Sequence, residues 1–384
     1  MKTLICNNCV MDTSDRDISF DSNGICNHCR DAVQQLPKFK PTEAVANKQL
    51  QQAIDTIHSR SKGRKFDAVI GLSGGVDSSY LAHLACSHGL KPLIVHFDNG
   101  WNSETAVSNI RKIVEKLGLE YSTYVINWNE FKNLQRAFIK ASVIDIELLT
   151  DYAIFSALSQ ITRKEGIPYV LSGDNYATEH GMPQAWTWHK GDVRNIRGIN
   201  AHFGEMKIKS FPTTSRWAIN PNKRPIRPGS VIKLLNLIHY KKDDAIRTLQ
   251  EEYDWEYYGG KHYESTFTKF YQAHILPQKF GIDKRRVHLS AQIRNDEIDR
   301  KTALKELEIP LYNQLELKQD KEFVLKKLGF SEAEFDAIMQ APPIPHDHYP
   351  AYNNTPATKA KKTLKQIIPS SIWNAMRDAI YGKQ

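Results

Sequence analysis

No stretch of the sequence approaches the ~18 consecutive apolar residues that carry a helix across a bilayer, so a membrane span is excluded. The opening MKTLICNNCVMD puts cysteines and an aspartate where a secretory signal needs an apolar core, and a cytoplasmic protein is the expectation. Cysteine is scarce: of five in the chain, four fall within the first 29 residues. That clustering excludes a disulfide framework spread over the fold and points to metal binding. Internal repeats and long low-complexity tracts are missing, which removes repeat architectures. The GxxxxGK-Ser/Thr spacing of a Walker A loop is missing too, which excludes a nucleotide site of that design.

What is present reads as a soluble globular protein, with 41% hydrophobic and 25% charged residues over 384 positions, enough for two or three domains. A formal net charge of +9 favours anionic partners: nucleotides, sugar nucleotides, nucleic acid or an anionic membrane surface. It does not choose among them. Lys359, Lys361, Lys362 and Lys365 form a local cluster that equally suits a solvated face.

Residues 1–40 form a turn-rich cysteine module, followed by a polar helix with Leu50, Ile54 and Ile57 at helical spacing. Apolar strands are predicted at 66–72, 91–98, 121–126 and 167–173. Helices are predicted after Gly75, over 103–117 and over 151–166. This alternation predicts an α/β domain over 41–210 built on a doubly wound parallel sheet, with ligands beyond the carboxyl ends of its strands. Over 211–384 helices predominate, near 230–250, 264–273, 299–308 and 320–339, with a proline-rich loop at 341–350. A last short helix places Ile372, Trp373, Met376 and Ile380 on one side. This region is expected to bind substrate or a partner.

Ser73-Gly74-Gly75-Val76-Asp77-Ser78-Ser79 lies between the first strand and an amphipathic helix. Glycines allow a tight turn whose N–H groups face one concavity, and the helix N-terminus adds partial positive charge. With three serine hydroxyls this suits pyrophosphate or the phosphates of ATP. Asp77, in the first turn, caps backbone donors or helps hold a metal. Asp98 ends the second strand, and Gly173, Asp174 and Glu179 follow the fourth, where carboxylates can hold Mg²⁺ against phosphate oxygens.

Cys6-x2-Cys9 and Cys26-x2-Cys29 match a four-thiolate zinc ribbon, a closed and therefore structural site, with an iron–sulfur cluster as the alternative. His28 is a bystander. Cys86, on the helix after the loop, reads as a buried small hydrophobe. A third dense region holds Trp255, Gly259 to Ser265, and Lys279 to Arg286. There Lys261, Arg285 and Arg286 either neutralise phosphates or form an exposed basic turn. Trp186, Trp188 and Asn195 to Arg197 either shape a substrate pocket or pack the core.

The loop resembles the SGGxDSS signature of PP-loop ATP pyrophosphatases, of the adenine nucleotide alpha hydrolase-like type. With CNNCVMDTSD, VHFDNGWNSE, SGDN and GGKHYESTFTKF, the chain to about residue 312 resembles the N-acetyl sugar amidotransferase family of O-antigen and flagellar glycan synthesis. The resemblance implies that ATP adenylates a sugar acetamido oxygen and ammonia displaces AMP to leave an acetamidino group. It implies catalytic roles for Ser73, Asp77, Asp174, Lys261 and Arg285, ATP contacts by residues 73–79, Phe97, Asp98, Gly173, Asp174 and Glu179, and Mg²⁺ with the phosphates. No cysteine–histidine glutaminase signature is present and residue 2 is lysine. The resemblance therefore implies separate ammonia-supplying partners, similar to the glutaminase and cyclase subunits of imidazole glycerol phosphate synthase. Two rival expectations stand beside it: a tRNA-modifying thiolase, which needs catalytic cysteines, and a non-catalytic nucleotide-binding scaffold.

Overall fold

The computed structural model describes residues 4–39, 42–214, 230–258, 263–356 and 358. Lys261, the basic cluster at 359–365 and the last predicted helix lie outside the described residues. Among the described residues no helix is long and apolar enough to cross a membrane.

Five parallel strands form one sheet in the order β3-β2-β1-β4-β5: β1 Ala68–Gly71, β2 Pro92–Asp98, β3 Tyr121–Val125, β4 Tyr169–Leu171 and β5 Ser230–Ile232. The inner strands are almost uninterrupted apolar runs because helices cover both faces. Ala68, Ile70, Ile94 and Leu171 pack with the helices Glu43–Ser61, Val76–Ser87 and Lys242–Tyr253. Val69, Leu93 and Val95 point the other way, toward Leu158 and Ile161 of helix Leu148–Lys164. The edge strand β3 is largely exposed and correspondingly polar, YSTYV. The chain runs outward from β1 to β3, then returns to the opposite side of β1 for β4. The crevice between the carboxyl ends of β1 and β4 is therefore the switch point at which such sheets bind ligands.

Three expectations change. Residues 230–232, read as helix, form β5, because Val231 and Ile232 complete the sheet beside β4 and the helix starts only at Lys242. The helix expected over 320–339 is two, parted at Gly329 (φ +74), with Ser331 opening the second by a capping box. Arg285 and Arg286, for which an exposed basic turn was the alternative to a phosphate role, instead open the helix Arg285–Arg294.

The proline-rich loop is pinned to the α/β domain through His346, which is 2% exposed. The Asp145 backbone N–H donates to His346 Nε2 at 3.0 Å, so the proton sits on Nδ1, which donates to Asn195 Oδ1 at 2.7 Å. Trp188 stacks on the same imidazole at 5.0 Å. Trp188 and Asn195 thus pack this joint. Burial lowers the His346 pKa to about 4. The unfolded imidazole takes a proton near 6.5, so this joint's stability is complete above that pH and is lost as the pH falls toward 4. Melting temperature against pH should show that loss, roughly 3 kcal/mol across the window, and His346→Gln should flatten it.

Candidate nucleotide site and metal centre

The loop from Ser73 to Ser79 leaves β1 at the switch point and runs into helix Val76–Ser87. Gly74 has φ +81, and a Cβ there would lie 2.4 Å from the Ala106 carbonyl oxygen, so only glycine fits. The buried Trp255 indole N–H donates to the Gly74 carbonyl at 3.1 Å. Within the loop the Gly75 N–H donates to Ser73 Oγ at 3.2 Å and the Ser73 N–H to Ser78 Oγ at 3.3 Å. Ser73 is exposed and Ser78 half-buried, so both hydroxyls can turn to a ligand. Ser79 differs from expectation: it is fully buried and its amide donates to Gly75 O at 3.0 Å, because it sits on the inner face of the helix.

The neighbouring strand ends close on this loop. A Cβ on Gly173 would lie 3.3 Å from the Ser78 nitrogen, so the turn after β4 packs directly against it. Asn175 Nδ2 donates to Asp77 Oδ1 at 3.3 Å, and the buried Tyr240 hydroxyl donates to the same oxygen. Burial pushes the Tyr240 pKa well up, which keeps it a donor. Asp174 is exposed and pairs with Lys233 at 3.3 Å, a contact exchanged at small cost. Glu179 ends the short helix Tyr176–Glu179. At the end of β2, Phe97 stacks on Tyr124 with centroids 5.5 Å apart, and Asp98 Oδ1 accepts from the Gly100 N–H at 2.8 Å.

The C-terminal region also reaches the loop. Ser103 N–H donates to Glu264 O at 2.8 Å and Thr266 N–H to Trp101 O at 2.9 Å. This bridge carries Glu264 to Gly75, where a Cβ would meet Glu264 Oε1 at 3.7 Å and, from the Trp255 segment, Tyr258 Oη at 3.0 Å. Glu264 lay in a quoted motif without a role, whereas nothing in the sequence marks Tyr240. The oxygen donors of Asp77, Asp174, Glu264 and the serines are the hard set that Mg²⁺ takes beside phosphate.

The two arginines do not join them. Arg285 spends its guanidinium on Asp283, at 2.7 Å from Nη2, and on the carbonyls of Glu306, Leu307 and Ile309. It secures the end of helix Arg300–Glu308, a correction to its expected phosphate role. Arg286 binds Asp12 at 2.9 Å and the Val10 carbonyl at 2.8 Å.

Cys6, Cys9, Cys26 and Cys29 are buried with their sulfurs within 4.8 Å of one another. The Cys6–Cys29 and Cys9–Cys26 separations of 3.9 and 3.7 Å suit the edges of a tetrahedron around zinc. Backbone N–H groups of Asn8, Cys9 and Cys26 point at Cys6 Sγ at 3.4, 3.5 and 3.2 Å, as around a thiolate. His28 Nε2 instead bonds Asp15 at 2.7 Å, so it is no ligand. Burial pushes the half-buried Cys86 thiol up to about 11, the state of an inert side chain.

Residues 48–146 match the family described as NAD synthase, and residues 264–365 match the family described as LPS biosynthesis protein WbpG-like, C-terminal domain. The fold is accordingly a PP-loop, NAD synthase-like α/β fold. No curated protein matched. Among solved structures the chain is similar to an NH3-dependent NAD synthetase from Campylobacter jejuni, with 22% identity, 34% of this chain, 58% of that chain and TM-score 0.27. An NMN synthetase from Francisella tularensis gives 20% identity, 34% and 56% coverage and TM-score 0.27. The chain thus spans less than two thirds of either synthetase. The U34-tRNA thiolase NcsA from Methanococcus maripaludis gives 14% identity, 78% and 90% coverage and TM-score 0.32.

Gly74→Ala should remove ATP binding in calorimetry and destabilise the fold by about 1–3 kcal/mol from the φ strain alone. Metal analysis of the purified chain should find one zinc per chain. Its removal by a chelator should lower the melting temperature markedly, whereas iron with labile sulfide would replace zinc by a cluster.

Proposed function

We propose that this chain, which belongs to the PP-loop proteins of lipopolysaccharide biosynthesis with a WbpG-like C-terminal domain, is an ATP-dependent amidotransferase acting on an N-acetylated, nucleotide-linked sugar. The acetamido oxygen attacks the α-phosphorus of ATP, the bond between the α-phosphorus and the bridging oxygen breaks, and pyrophosphate leaves. Ammonia adds to the activated carbon and gives up a proton, and AMP departs with the former amide oxygen. The acetamido group becomes acetamidino, in surface polysaccharide or flagellar glycan synthesis. An amide oxygen leaves very poorly by itself, and AMP leaves well.

One observation carries the reading: a rigid anion loop at the sheet's switch point is faced by Glu264, the first residue of the WbpG-like match. In this reading Ser73, Ser78 and the helix N-terminus hold the departing pyrophosphate, and Phe97 and Asp98 take the adenosine side. Tyr240 and Asn175 fix Asp77 at the phosphates. Asp174 and Glu264 are the further carboxylates for Mg²⁺, which when bound offsets charge building on the phosphates. In this reading the ammonia comes from a separate glutaminase and cyclase-like pair, as the resemblance to the N-acetyl sugar amidotransferase family implies; Cys86, the one cysteine outside the four-cysteine cluster, has its thiol held protonated by burial. The same thiol weighs against a tRNA thiolase.

Candidate sugar nucleotides incubated with ATP, Mg²⁺ and ammonium should yield, by mass spectrometry, a product with one oxygen replaced by NH, together with AMP. Ser73→Ala and Asp77→Ala should lower turnover by about 10²-fold. Formation of ADP, or pyrophosphate release stimulated by tRNA in place of sugar nucleotide, would sink the proposal.

A further inference from the structure

The turn after β2 is closed by a cation from the C-terminal region. Lys327 stands in the last turn of helix Gln314–Leu328, where a lysine ordinarily serves its own helix's free carbonyls. It crosses instead to the turn at 98–101, and its Nζ donates to the Gly100 carbonyl. The same Nζ lies 4.7 Å from the ring centre of Trp101, 5.1 Å from that of Trp128 and 5.2 Å from that of Phe323. Three rings and one carbonyl receive one ammonium.

What the ammonium holds leads directly to Asp98. Gly100 has φ +78, and a Cβ there would lie 3.2 Å from Trp128 Cε3, so the turn is pressed against that ring. The Gly100 N–H donates to Asp98 Oδ1 at 2.8 Å. The Asp98 carboxylate is thus oriented by the amide of the residue whose carbonyl Lys327 holds. The rings are fixed independently of the lysine: the buried Trp101 indole N–H donates to Gln135 Oε1 at 2.9 Å, and Trp101 and Trp128 meet edge to face with centroids 5.4 Å apart. A half-buried cation is attracted to such faces, and a neutral side chain of similar length is not.

We infer that Lys327 is a positioning residue of the nucleotide site: its ammonium, seated on Trp101, Trp128 and Phe323, holds the Gly100 turn so that Asp98 is presented to the nucleoside half of the ligand. The inference rests on the reading of Asp98 as an adenosine contact. Lys327 and Asp98 lie in the two separate family matches, so the C-terminal region supports the nucleoside end of the site as well as facing the phosphate loop through Glu264.

The test compares the full chain with its Lys327→Met variant, which keeps an unbranched stem and removes the charge, with Lys327→Gln as a second variant should the first fail to fold. Without ligand, hydrogen exchange over residues 98–101 should be faster in the variant, and exchange over the phosphate loop at 73–79 should be unchanged. In calorimetry the variant should bind magnesium ATP about fivefold more weakly, the size of one half-buried cation–π contact. It should bind magnesium pyrophosphate, which has no nucleoside, as tightly as the unaltered chain. Equal loss for both ligands is what a general loosening of the fold would give, and it overturns the inference. Unchanged ATP affinity or unchanged exchange at the turn overturns it as well, while the nucleotide site stands. Failure of the unaltered chain to bind ATP overturns the inference and the nucleotide reading together.

Discussion

The Gly74 peptide is held from two sides, and the phosphate loop depends on both grips. The Ala106 carbonyl leaves no room for a side chain at Gly74, and Trp255 takes the Gly74 carbonyl. Those two residues come from separate segments that are cross-tied: Asn109 exchanges two hydrogen bonds with the Glu256 backbone, at 2.8 and 2.9 Å, and Lys112 Nζ donates to Asp254 O at 2.7 Å. The loop's shape is therefore set by a closed circuit of helix Glu104–Leu117, the Trp255 segment and the loop itself. Preorganisation of this kind lets backbone groups stabilise charge without reorganising when it develops.

The cysteine module is a strut of the fold more than an appendage. Arg300 Nε donates to the carbonyls of Cys6 and Cys9, at 3.1 Å each, Arg294 reaches His28 O at 3.2 Å, and Arg286 pairs with Asp12. Val10 inserts between Leu289 and Ala303. From the module's helix Asn27–Phe39, Phe39 stacks on Tyr176 at 4.2 Å, and Tyr176 on His180 at 4.8 Å, beside the Asn175 that holds Asp77. Part of the excess positive charge is thus internal mortar, with guanidinium groups joining carbonyls and a buried acid across almost 300 residues of sequence.

The two family matches leave a gap between residues 146 and 264, yet their structures meet at the site. The bridge between Asn102 and Ser265 joins the turn after β2 to the first residues of the C-terminal match. Glu264 consequently faces the loop across Gly75.

The phosphate loop and the cysteine knuckles were legible in the sequence because their chemistry is local. A left-handed glycine, a helix start and two CxxC pairs are constraints on consecutive residues, and so are the buried runs of β1, β2 and β4. β5 was not legible, since three residues become a strand only when β4 offers its edge. The roles of Arg285 and Arg286 were misread for a related reason: a guanidinium can bind either phosphate or carbonyl oxygens, and only the chain's closure chose Glu306, Ile309 and Val10. Tyr240, Trp255 and Tyr258 reach the loop from 160 to 185 positions away. Backbone conformation is dictated by near neighbours in sequence, whereas a side chain's partner is decided by which surfaces the packed core brings within hydrogen-bond distance.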